Sequence, residues 1–191
     1  MSKLYFKYGT MNSGKTLEIL RTAHNYEEVG SKVLIMKPAV DTKGQEQIVT
    51  RIGLERNVDL LIDEHDNIED LIRTYPDINN VVAILIDEAQ FLTRDQVDQL
   101  MQIVINLGIS IMCYGLVSDF RTELFPGSAR LLTIAHEKEE IRTMCSDGCN
   151  SKAMFNARYV DGARVNEGDQ VCIDNQSQVI YRSLCPKCFY K

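Results

Sequence analysis

The chain has 191 residues, 45% hydrophobic and 25% charged, with a formal net charge of −6. That length supports one α/β core and a small accessory module. The acidic balance argues against broad nucleic-acid binding, which needs a basic surface to displace counterions. No apolar run approaches the ~18 to 20 residues of a membrane span. The opening Met1–Lys7 segment has no signal-peptide core before Gly9, so a cytoplasmic location is expected.

In chain order, residues 3–8 read as a short buried strand. Gly9-Thr10-Met11-Asn12-Ser13-Gly14-Lys15-Thr16 follows, then a helical pattern with Leu17, Leu20 and His24 at turn spacing, ended by Gly30. Lys32–Lys37 is a second strand, stopped by Pro38. Residues 39–57 look largely like loop, with a strand at Val58–Ile62 and a short helix at Ile68–Tyr75. Val81–Ile86 is six consecutive apolar residues ending at Asp87-Glu88, the pattern of a strand buried on both faces. Val97, Leu100, Met101, Val104 and Ile105 mark a helix closed by Gly108, and Ile109–Tyr114 another buried strand. This alternation predicts a P-loop NTPase-like α/β fold, a parallel sheet flanked by helices. Beyond about Glu140 turn residues multiply and cysteines pair, which predicts a domain division into 1–139 and 140–191.

Gly9–Thr16 fits G-x-x-x-x-G-K-[ST] at every defined position, between a strand and a helix. In such a loop the backbone N–H groups curl around phosphates, the lysine reaches the β- and γ-phosphates, and the Ser/Thr hydroxyl is the usual Mg²⁺ ligand. Asp87-Glu88 supplies acids at a strand end, where P-loop proteins place them beside the metal and γ-phosphate. Cys145-x₃-Cys149 and Cys185-x₂-Cys188 match a tetrahedral structural zinc site. Cys113 reads as packing, Cys172 has no partner nearby in sequence, and His24, His65 and His136 show no ligand or triad spacing.

Taken together these motifs resemble the type II thymidine kinases, the compact zinc-containing class. The matching stretches are Gly9–Thr16, Lys37-Pro38-Ala39-Val40-Asp41-Thr42, Asp87-Glu88-Ala89-Gln90-Phe91, Tyr114-Gly115-Leu116 with Phe120 and Phe125, and Tyr181-x₃-Cys185-Pro186-Lys187-Cys188-Phe189-Tyr190. They span almost the whole chain in order. The resemblance implies transfer of the ATP γ-phosphoryl group to the 5′-hydroxyl of thymidine, with Glu88 as general base. ATP would lie along Gly9–Thr16 and Asp87–Gln90, with Thr16 and Asp41 helping to hold Mg²⁺. Met11, Phe91, Leu116, Phe120, Phe125 and Tyr181 would wall the base pocket. A lasso loop including Val171, Cys172, Ile173 and Asp174 would close over the base, its ends fastened by zinc on the four paired cysteines. A homotetramer and feedback inhibition by dTTP are implied as well.

This sequence departs from the family pattern at several positions. Thr10 stands for a common proline, Lys43 for an arginine, Val117 for an aspartate, Asp174-Asn175 for a Gly-Gly pair, and the first cysteine pair has one extra residue. Three other readings fit parts of the sequence. Asp-Glu-Ala-Gln also resembles a helicase DEAx box, but that enzyme needs two motor domains and a basic channel. A non-enzymatic zinc-ribbon nucleotide switch would show basic or aromatic ladders around the cysteines. The third is a kinase of the same chemistry acting on deoxyuridine or deoxycytidine.

Overall fold

The computed structural model describes residues 1–39, 47–168, 170 and 179–191. The leading strand β1 (Leu4–Tyr8) runs into α1 (Lys15–Glu28), then β2 (Lys32–Pro38). A hairpin of β3 (Gln47–Val49) and β4 (Glu55–Asn57) precedes β5 (Leu60–Ile62) and α2 (Ile68–Arg73). Next come β6 (Val81–Ile86), α3 (Arg94–Leu107), β7 (Ser110–Gly115), α4 (Pro126–Ile134) and β8 (Glu137–Glu140). The chain finishes with β9 (Phe155–Val160), β10 (Ala163–Val165), β11 (Val179–Leu184) and the single turn α5 (Pro186–Phe189).

Six strands form the main sheet in the order β5-β2-β6-β7-β1-β8, every neighbouring pair parallel. The apolar runs are explained by burial on both faces. In β6, Ile84 and Ile86 turn toward the cluster built with Val97, Leu100 and Ile103 of α3. Ala83 and Leu85 turn the other way, toward Ile19 and Ala23 of α1. Alternate residues of one strand thus feed two separate cores. The cysteine-bearing segment builds a third cluster from Cys145, Ala157, Leu184, Cys185, Cys188 and Phe189, beside the antiparallel sheet β10-β9-β11.

Several sequence expectations need correction. The face of α1 buried in the core carries Ile19 and Ala23, while Leu17 is 42% exposed and His24 lies outside, paired with Glu28. In α3, Ile105 points outward and Ile103 inward. Pro38 is the last residue of β2 rather than its stop, paired in register with Ile62. Residues 47–57, read as loop, form the β3–β4 hairpin, and α4 and β8 were not anticipated. β8 is Glu-Lys-Glu-Glu, a composition that hides an edge strand from any hydrophobic pattern.

Candidate functional site

The glycine-rich loop leaves the C-terminal end of β1 and enters α1. Its shape depends on missing side chains: a Cβ on Gly9 would lie 2.5 Å from both the Ile141 carbonyl and Ser13 Oγ. Asn12 and Gly14 take left-handed backbone, at φ 65° and 87°. Among the described residues no side chain caps α1, which leaves its first N–H groups available to an anion. The hydroxyls of Thr10 and Ser13 are buried and without a hydrogen-bond partner among the described residues. Buried unpaired donors at a bare helix N-terminus suit a phosphate. Lys15 is only 8% exposed, its Nζ donating to the Thr10 carbonyl at 2.9 Å. Burial holds its ammonium below the ordinary lysine value, opposed by the nearby carboxylates of Glu88 and Asp87.

Asp87 comes to this loop from the end of β6, two strands over from β1 in the sheet. The Thr16 hydroxyl donates to Asp87 Oδ2 at 3.2 Å, and the Glu88 N–H to Oδ1 at 2.9 Å. Burial, then repulsion from Glu88, pushes the Asp87 carboxyl up to about 7. Glu88 itself is a non-glycine residue at φ 51°. Its Oε2 accepts from Gln90 Nε2 at 2.6 Å, and Gln90 Oε1 accepts from the Leu116 N–H at 3.1 Å.

The aromatic residues lie alongside. Phe91 meets Phe125 edge-on at 5.7 Å, and Phe120 and Phe125 are almost fully buried. Tyr181 sits opposite Arg158 in the β9–β11 register, and the Arg158 guanidinium lies 5.2 Å from the Phe120 ring. Met11 contributes through its backbone: its N–H donates to Asn156 Oδ1 at 2.8 Å, and its carbonyl accepts from the Ser183 hydroxyl. Asn156 Nδ2 also donates to the Ser118 carbonyl at 3.3 Å. Asn156 and Ser183 are a cross-strand pair of β9 and β11, so the small sheet grips the glycine-rich loop directly. Sequence reading missed both, because neither belongs to a motif. The anticipated Asp41, Val171, Cys172, Ile173 and Asp174 fall outside the described residues.

The sulfurs of Cys145, Cys149, Cys185 and Cys188 lie within 4.8 Å of one another, and all but Cys149 are buried. Cys149 Sγ is 3.5 Å from Cys185 Sγ, and the Cys185 N–H donates to Cys145 Sγ at 3.3 Å. A hydrogen bond from the Ser151 backbone, then those with Cys185 and Cys145, pulls the Cys149 thiol down, while burial and the hydrogen bonds with the other three push Cys188 up, so the four sulfurs share protons as one group. Four converging thiols are consistent with zinc in a closed tetrahedral set. Elsewhere, Cys113 is fully buried in β7, where burial raises its thiol, and His136 Nδ1 accepts from the Leu4 N–H at 3.0 Å. Cys113 is a packing residue, whereas His136 is exposed and ties the turn before β8 to β1.

A family model described as Thymidine kinase matches residues 2–189. The chain belongs to the thymidine kinase family. The thymidine kinase of Lactococcus lactis subsp. lactis is 43% identical over 192 residues, covering 100% of this chain and 98% of the relative. That of Streptococcus gordonii is 44% identical over 192 residues, covering 100% and 97%. The thymidine kinase of Enterobacteria phage T4 is 40% identical over 189 residues, covering 98% and 95%. Full-length membership in a thymidine kinase family disfavours both the helicase and the zinc-ribbon switch readings. Among the described residues no helix is long and apolar enough to cross a membrane.

Proposed function

We propose that the protein transfers the γ-phosphoryl group of ATP to the 5′-hydroxyl of thymidine, giving dTMP. The observation that carries this reading is the Thr16–Asp87 hydrogen bond, which sets the phosphate loop and the acidic pair against one small volume. The loop amides, Lys15 and the hydroxyls of Thr10 and Ser13 bind the triphosphate and hold charge on the transferring group. Glu88 accepts the proton of the attacking 5′-hydroxyl. Magnesium, when bound, neutralises phosphate charge, and Thr16, Asp87 and Asp41 are the residues that would hold it. Met11, Phe91, Leu116, Phe120, Phe125 and Tyr181 orient the base, and the segment containing Val171, Cys172, Ile173 and Asp174 closes over it.

Zinc on the four cysteines fastens that segment and contributes local folding free energy instead of chemistry. The division at 139/140, the homotetramer, dTTP feedback and the cytoplasmic location belong to the same reading, supported by family membership. A panel of thymidine, deoxyuridine and deoxycytidine incubated with Mg-ATP tests it by 5′-monophosphate formation. Thymidine is expected to be the best substrate; turnover of deoxycytidine alone would overturn the assignment. Glu88→Gln is expected to lower kcat at least ~100-fold with ATP binding kept. Near-normal turnover would remove Glu88 as the base.

A further inference from the structure

We infer that Gln90 is a positioning residue for the catalytic base, and that it ties that base to the wall of the nucleoside pocket. The inference rests on the proposed role of Glu88 and deepens it.

Gln90 occupies the 3-10 turn Ala89–Phe91 and is 1% exposed. A long polar side chain so buried must have its amide satisfied, and here each end has one partner. The Leu116 N–H can only donate, so the group facing it is the amide oxygen, at 3.1 Å. That fixes the orientation of the amide, and its NH₂ must then face Glu88 Oε2, at 2.6 Å. A donor in that position favours the proton-accepting carboxylate and holds one of its oxygens, leaving the other for the 5′-hydroxyl.

Two glycines make room for the amide and its turn. A Cβ on Gly115 would come within 2.7 Å of Gln90 Oε1 and 3.0 Å of its backbone nitrogen. On the other side a Cβ on Gly127 would meet the carbonyls of Leu92, Ala89 and Gln90 at 2.6, 2.7 and 3.0 Å. Two glycines thus admit the turn between β7 and α4. Because Leu116 walls the base pocket, a nucleoside pressing on it acts on the same amide that aims Glu88. The family resemblance groups Gln90 with the ATP-binding residues; its side-chain contacts reach Glu88 and Leu116.

Two substitutions separate the roles. Gln90→Glu keeps an acceptor for the Leu116 N–H and replaces the fixed amide donor by a carboxyl that competes with Glu88 for a proton, whereas Gln90→Met removes both contacts. At pH 8, Gln90→Glu should lower kcat about 10- to 100-fold, with KM for ATP within about two-fold of wild type. Gln90→Met should lower kcat similarly and also raise KM for the nucleoside. In a Glu88→Gln background, Gln90→Glu should cost less than about three-fold further, because the group it aims is already gone.

Wild-type kcat in Gln90→Glu would overturn the inference, since satisfying Leu116 would then suffice. A rise confined to KM for ATP, or losses that multiply in the double variant, would overturn it as well. If Glu88→Gln alone turns over normally, the base assignment has failed and the Gln90 role falls with it. If Gln90→Met does not fold, the Gln90→Glu measurements decide.

Discussion

Replacing Asp87 with asparagine should make the protein more stable and nearly inactive. Asp87 is 3% exposed, and its folded-state carboxyl is pushed up to about 7 from an ordinary value of 3.8. Below pH 3.8 the group is protonated in both folded and unfolded chains, so ionisation carries no folding cost. As pH rises toward 7 the unfolded chain releases this proton while the folded chain keeps it. Stability therefore falls by about 1.4 kcal/mol per pH unit until the folded carboxyl also ionises. Three units of difference give a full cost of about 4 kcal/mol.

Asparagine never ionises, and it is isosteric. Its carbonyl can still accept from the Glu88 N–H, and its NH₂ can donate to the Thr16 hydroxyl. Asp87→Asn should thus equal wild type near pH 4 and exceed it by about 2 to 4 kcal/mol at pH 8, in the absence of ATP and magnesium. Urea unfolding at a series of pH values measures this, and the four-cysteine cluster is the same in both proteins. Turnover should fall at least about 100-fold, because the carboxylate beside Thr16 is lost. A stability gap that stays flat from pH 4 to 8, or wild type being the more stable at pH 8, would refute the reasoning.

Lys15→Ala should lower single-turnover phosphoryl transfer by about 10²- to 10³-fold, since it removes the only side-chain cation of the phosphate loop; a smaller loss would assign the charge to another residue. Gly115→Ala places its Cβ 2.7 Å from Gln90 Oε1 and should cost about 1 to 3 kcal/mol in thermal or urea unfolding, with a matching loss of kcat. Metal analysis should return about one zinc per chain. Removing that zinc should weaken ATP binding about ten-fold even without nucleoside, because Ser183 and Asn156 hold both backbone groups of Met11; unchanged affinity by calorimetry would show that the loop stands without the clasp.

What the sequence disclosed and what it hid follow one physical division. Backbone geometry that demands particular residues is legible: Gly14 and Gly108 stand where φ is positive, and Val81–Ile86 is apolar because both its faces are covered. The nearness of Thr16 and Asp87 could be anticipated because the loop that leads from β1 into Thr16's helix and the Asp87 carboxylate both follow the C-terminal ends of strands in one parallel sheet. By contrast, Asn156 and Ser183 lie 145 and 172 positions from Met11, and their side chains bond backbone groups that any residue would offer. Nothing in residue type marks such a contact. The β3–β4 hairpin was hidden for another reason. Its strands are three residues each, too short for alternation to register, and Val49, Ile52 and Leu54 are exposed apolar residues that imitate no core.

The site end of the sheet gathers features that each work against folding. A carboxyl and an ammonium are buried there, two hydroxyls lack partners among the described residues, and Glu88 takes a left-handed conformation costing on the order of 1 kcal/mol or more. Their clustering is the argument for function, because a fold selected for stability alone would disperse or remove them. Each is relieved by the same visitor. A polyphosphate gives Lys15 a counter-charge and the Thr10 and Ser13 hydroxyls an acceptor, and an accompanying divalent cation would favour the ionised form of Asp87. Glu88 fits the same logic only if its strained backbone aims the carboxylate at a second substrate, since nothing in a triphosphate needs another anion. The loop alone would describe any nucleotide binder; the second carboxylate beside Asp87, held by Gln90, is what an acceptor alcohol would explain.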